Sequence, residues 1–90
     1  MVTVQLSQEV SDFLKWKQIF DSLKPIRDKY NIKEIDVYVN VENPDKIVLF
    51  LDAPSVEVVE TFFNCNEIKE GMKKGGVTSS TNIKILNRIR

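Results

Sequence analysis

Few residues in this chain can do covalent chemistry. There is no histidine, and Cys65 is the sole cysteine. That removes His-based general acid/base catalysis, Ser-His and Cys-His nucleophile pairs, and His-ligated zinc or iron. A thiolate metal site built within one chain is excluded for the same reason, and no cofactor is expected. What remains is a set of aromatic and amide side chains. Trp16 can stack on a planar ligand in a small-molecule pocket, or it can pack as core, since tryptophan buries a large area wherever it sits. Tyr38 lies between Asp36 and Asn40. A phenol there can orient a phenolic or enolic substrate, or hydrogen-bond across a subunit interface, where tyrosine is favoured. Asn64 can offer an amide to a substrate, or cap a helix.

Other polar features read more plainly. Cys65, between Asn64 and Asn66, stands at a helix start that can activate a thiol, but no histidine can serve as its base. A free cysteine otherwise behaves as a small buried hydrophobe. Glu57/Glu60 and Glu67/Glu70 are pairs three residues apart, a spacing that puts each pair on one helix face. No apolar residues surround both members of either pair, so they describe a solvated surface rather than a carboxylate dyad. Lys73-Lys74-Gly75-Gly76 lacks the spacing of a phosphate loop. Its lysines suit the negative end of a helix, and its glycines suit a helix stop.

The elements that must hold these residues follow from periodicity. Val2, Val4 and Leu6 alternate with Thr3 and Gln5 as a first strand, and residues 7–11 read as a polar connection ending in a Ser11 or Asp12 cap. Phe13, Trp16, Phe20, Leu23 and Tyr30 form one apolar helical stripe, widened by Leu14, Ile19 and Ile26. Pro25 falls inside it and predicts a kink or break, because an interior proline costs about 3 kcal/mol. Asn31 suits a left-handed cap. Ile35, Val37, Val39 and Val41 alternate as a half-buried second strand, closed by the turn Glu42-Asn43-Pro44-Asp45.

The third strand, Lys46-Ile47-Val48-Leu49-Phe50-Leu51-Asp52, is apolar on both faces. Ile47, Leu49 and Leu51 fall on one, and Val48 and Phe50 on the other. A strand reads this way when both faces are covered, and two helical regions cover only one. A second chain is therefore expected on the other. The hairpin register stays open: an even-numbered loop places Val39 with Phe50, an odd-numbered loop with Leu49. Ser55 caps the next helix, whose apolar side is Val56, Val59, Phe62 and Phe63. A short helical piece with Ile68 and Met72 ends at Gly75-Gly76. Residues 78–81 form a loop, and Ile83 and Ile85 belong to a last strand with Leu86 on its second face.

The order β-α-β-β-α-β over residues 1–90 is a single ferredoxin-like α+β domain. Right-handed crossovers make its sheet antiparallel with strand order 4-1-3-2 and both helices on one face. Thirteen basic and thirteen acidic residues cancel, leaving no field for nucleic acid or anionic membrane. RNA-recognition domains share this order but stack bases on aromatics of strands one and three, and strand one here has none. No apolar run approaches the roughly 20 residues of a membrane span. The N-terminus lacks the features of a signal peptide, so a cytoplasmic location is expected.

Three sets of residues give this chain its resemblance: Trp16 with Phe20, the strand–turn–strand of residues 37–51 around Asn43-Pro44-Asp45, and the segment from Phe62-Phe63-Asn64 to Gly76-Val77. With these the chain resembles the dimeric α/β-barrel superfamily, and within it small proteins related to the antibiotic-biosynthesis monooxygenases. More narrowly it is similar to small proteins of marine bacteria and cyanobacteria in that superfamily. The resemblance implies a homodimer with two sheets face to face and a pocket in each subunit between sheet and helices. The histidine that serves haem-degrading relatives, and one typical of several stress-responsive relatives, are both missing here. Two readings of function follow. One is a homodimer that binds a small apolar or aromatic molecule, with Trp16, Phe20, Tyr38, Phe63 and Asn64 around it. The other is a cofactor-independent monooxygenase acting on an aromatic or quinol, with Trp16 stacking, Tyr38 handling the proton and Asn64 donating an amide. A third, plainer reading is an interaction module whose interior is filled.

Overall fold

A computed structural model describes residues 1–78 and 81–89. The chain runs β1 (Val2–Glu9), α1 (Phe13–Ser22), α2 (Lys24–Lys29), β2 (Lys33–Val39), β3 (Lys46–Ala53), α3 (Val56–Phe63), α4 (Asn66–Lys74) and β4 (Asn82–Leu86). The four strands make one antiparallel sheet in the order β2-β3-β1-β4, which is the expected 4-1-3-2 read from the other edge. The expected loop of residues 78–81 includes Ser79 and Ser80, which lie outside the described residues.

Local signals set the helix ends. Asp12 caps α1, its carboxylate accepting from the Leu14 and Lys15 N–H groups at 3.0 and 3.4 Å. The long helical stripe breaks at Leu23, and Pro25 sits in the first turn of α2, where a missing N–H costs nothing. Asn31, with φ 57°, ends α2. The Ile32 N–H reaches back to Arg27 O at 2.9 Å and the Asn31 N–H to Asp28 O at 3.1 Å, which is the Schellman pattern. α4 ends the same way. Gly76 takes φ 77°, the Val77 N–H bonds Met72 O at 3.2 Å and the Gly76 N–H bonds Lys73 O at 3.1 Å. Ser55 caps α3 through Val58 N–H at 3.3 Å.

Pairing Val4 with Leu51 and Leu6 with Leu49 puts these residues, with Ile47 and Ala53, on the face that packs beneath the helices. Trp16, Ile32, Val59, Phe62 and Ile68 complete the buried core. Val39 pairs with Ile47 and Val37 with Leu49, so the hairpin takes the odd-numbered register. The opposite sheet face carries Thr3, Gln5 and Ser7 of β1, Val48 and Phe50 of β3, Tyr38 of β2, and Lys84 and Leu86 of β4. Within the chain no helix covers it.

Four expectations are corrected. Residues 7–9 are not a connection: β1 continues through Glu9, because Ser7, Gln8 and Glu9 pair with Val48, Ile47 and Lys46. Val41 leaves the second strand and is fully exposed, since the Asn40 side chain draws the backbone into a turn by accepting from the Glu42 and Asn43 N–H groups. β2 is also more exposed than half-buried. It is an edge strand, and a bulge between Glu34 and Asp36 interrupts its alternation at Ile35. Leu14 and Val56 point outward: each stands in a helix's first turn, off the line of Trp16 or of Val59 and Phe62 that meets the sheet. Val58 and Phe63 flank that second line instead.

Candidate functional site

Because α1 carries aromatics at spacings of three and four, their rings stack along one side of it. The Phe13 and Trp16 centroids are 6.0 Å apart, and those of Trp16 and Phe20 4.9 Å apart with planes at 16°. The break at Leu23 is one residue long, and Arg27 lies two turns beyond Phe20. The Arg27 guanidinium then lies on the Phe20 ring, with Cζ 3.9 Å from its centroid. A second aromatic group stands opposite, with Phe62 edge-on to both Tyr30 and Phe63.

Between these groups and the sheet lies a cavity of about 60 Å³. Trp16, Ile19, Phe20 and Leu23 close one side, Phe62, Phe63, Ile68 and Met72 another, and Leu6, Leu49 and Leu51 form its floor. Gly71 lets α4 approach closely: a Cβ there would stand 2.6 Å from Leu23 Cδ1.

Two polar side chains reach this apolar space, Gln8 and Arg27, and both are buried. Gln8 is held on both sides. Its Oε1 accepts from the Trp16 indole Nε1 at 2.7 Å, and its Nε2 donates to Thr81 Oγ1 at 3.2 Å. That bond fixes the indole plane and explains why β1 keeps an amide on its buried face, where an unpaired indole N–H would be costly. Arg27 Nη1 donates to Phe20 O at 2.6 Å, capping the carbonyl end of α1. Burial pulls the Arg27 pKa down from its ordinary value. The carboxylates of Glu34, Asp21 and Asp28 act in the opposite sense, and the group stays charged.

The sequence candidates separate into two places. Trp16, Phe20 and Phe63 line the cavity together. Tyr38 does not join them. It is 53% exposed on the uncovered sheet face, edge-on to Phe50 at 6.1 Å, because its register partner is Val48. Asn64 is also outside: it is the exposed C-terminal cap of α3, and its Nδ2 donates to Glu60 O at 2.9 Å. Cys65 is the N-cap residue of α4 and is half-buried. By sequence Gln8 falls in the polar connection of residues 7–11, and Arg27 carries no assigned role. A polar residue at a core-phase position, Gln8 in step with Val4 and Leu6, was the available signal for the first. Among the described residues there is no group of three or more Cys, Asp or Glu able to hold a metal.

No family model matches the sequence, and no curated protein matches it. Solved structures do resemble it. A protein of Bordetella bronchiseptica, named as a candidate antibiotic biosynthesis monooxygenase, superposes with a TM-score of 0.82 at 12% identity, over 99% of this chain and 97% of that one. A similarly named protein of Caulobacter crescentus gives 0.74 at 10% identity, over 99% and 90%. A conserved protein of Methanosarcina mazei gives 0.72 at 18% identity, over 97% and 91%. The chain therefore has the fold of the antibiotic biosynthesis monooxygenase structures, a ferredoxin-like α+β unit with sheet order β2-β3-β1-β4. At these identities the likeness concerns the fold alone.

Proposed function

We propose that this protein binds a small, largely apolar molecule in the cavity between α1, α4 and the sheet, and that it does so as a homodimer. The observation that carries the reading is the cavity itself: empty space walled by Trp16, Phe20 and Phe63, with the indole held in place by Gln8. An interaction module with a filled interior would have side chains there. The uncovered sheet face supports the dimer, because Val48, Phe50 and Tyr38 make an apolar group on β2 and β3 beside the small polar row Thr3, Gln5 and Ser7 of β1, with Asp36, Asp52 and Lys84 around them. A second copy laid on this face would give β3 cover on both sides.

Size favours the ligand reading over the monooxygenase reading. About 60 Å³ holds on the order of four or five water-sized groups. Pockets for drug-sized molecules run to about 300–1,000 Å³. A polycyclic quinol enters only if the helices move outward, and Tyr38 on the far face of the sheet is not there to take its proton. The names of the structural neighbours favour oxygenation, whereas the geometry favours binding of something smaller.

The test is a titration of Trp16 fluorescence and of melting temperature against small apolar and aromatic molecules, with mass measured by light scattering. A ligand that binds only the native state raises the melting temperature as its concentration grows. Saturable quenching with a rise in melting temperature in a dimeric species is the expected result. A monomer at micromolar concentration overturns the dimer, and a flat response across the set overturns the pocket.

A further inference from the structure

Among the described residues Arg27 is the one charged side chain that reaches the cavity, and it is only 5% exposed. A guanidinium has five N–H donors in a rigid fork. Among the described residues Arg27 makes one hydrogen bond, to Phe20 O, and no carboxylate lies within ion-pair distance of it. The acidic groups nearest in effect, Glu34, Asp21 and Asp28, act on it only at longer range. Capping α1 uses one donor out of five, the guanidinium plane rests on the Phe20 ring, and the remaining donors keep some access to open space rather than being sealed off. Stability alone does not call for the rest, because replacing a buried ionic group by an apolar one of similar size is often neutral or stabilising.

Taking the cavity as a ligand site, we propose that its ligand is a short monocarboxylate. The carboxylate would meet the free donors of Arg27, and a short apolar tail would lie between Phe63, Met72 and the Trp16–Phe20 stack. Three observations meet in this assignment. The anion has a partner in the fork geometry of guanidinium, which suits two carboxylate oxygens. The lining beyond Arg27 and Gln8 is apolar, which suits a hydrocarbon tail. The volume suits a molecule of butyrate size and excludes a long-chain fatty acid.

The proposal is tested on the whole protein with sodium butyrate, butyramide and Arg27→Gln, reading Trp16 fluorescence and melting temperature. Butyramide has the shape of butyrate without its charge. Charge-assisted hydrogen bonds are roughly twice as strong as neutral ones, so butyrate is expected to bind about tenfold or more tightly than butyramide. Arg27→Gln removes the charge while leaving a polar side chain of the same kind of branching, and is expected to bring butyrate down to the level of butyramide. Equal binding of the acid and the amide overturns the carboxylate assignment and leaves the pocket standing. No saturable response to either overturns both. Should Arg27→Gln fail to fold by circular dichroism, the comparison of acid and amide on the unaltered protein decides.

Discussion

Gly71→Ala should narrow the cavity without unfolding the protein. The added methyl would stand 2.6 Å from Leu23 Cδ1, so that side-chain end must retreat by roughly 1 Å to reach normal contact. Leu23 lines the cavity and has empty space to enter. Two terms then nearly cancel. Alanine in place of glycine inside α4 gains about 0.8–1 kcal/mol of helix propensity, and an off-rotamer leucine costs about 0.5–1.5 kcal/mol. The net change stays within about 1 kcal/mol, or about 4–8 °C in melting temperature for a domain of this size. The displaced methyl takes up on the order of one water-sized volume out of the 60 Å³ and narrows the rest. Xenon enters dry apolar cavities, and the chain has a single tryptophan, so the lone indole N–H resonance under xenon pressure is a clean reporter. The unaltered protein should show a saturable shift of that resonance, and Gly71→Ala should lose most of it. An unchanged response, or a melting temperature lowered by far more than 8 °C, would refute the claim that Leu23 backs onto usable space.

Three further outcomes follow. Gln8→Ala leaves the Trp16 indole N–H buried without its acceptor and should cost about 1–3 kcal/mol, read by urea unfolding; a smaller loss would mean that the bond does not hold the indole. Gly76→Ala forces a side chain into the left-handed region against the Ser11 hydroxyl and should destabilise by about 1–2 kcal/mol or more, whereas Gly75→Ala, at φ −72°, should cost less. Phe50→Asp places a charge at the centre of the uncovered sheet face and should halve the mass seen by light scattering, with the circular dichroism spectrum kept; a dimer that survives it places the interface elsewhere.

The fold was legible because each element carries its own punctuation. Asp12, Pro25, Asn31, Ser55 and Gly76 all act where their backbone chemistry predicts, and the two-sided third strand lies in the sheet interior. The site was legible only in part. Trp16, Phe20 and Phe63 meet because helical periodicity fixes which side faces the sheet. Tyr38 and Asn64 do not join them, because strand register and a helix end, neither of which leaves a local trace, decide their direction. Gln8 and Arg27 were missed because each is buried through a partner on a neighbouring element. Gln8 needs the indole of α1, and Arg27 of α2 needs the ring and carbonyl of Phe20 across the break at Leu23. Composition counts such residues as surface.

The two sheet edges bear on how copies of this chain can add to one another. β2 offers one edge, bulged at Ile35 and bearing Lys33 and Glu34. β4 offers the other, only five residues long with Lys84 at its middle. Lateral growth of a sheet needs straight, unpaired, weakly charged borders that match from copy to copy. Neither border meets that need, so ribbon-like polymerisation is discouraged at both ends of the strand order. The dimer proposed above would be association of another kind, through the broad face, and would close after two copies with nothing left to extend. With these borders, such a pair would keep its apolar strand residues without offering an edge that propagates.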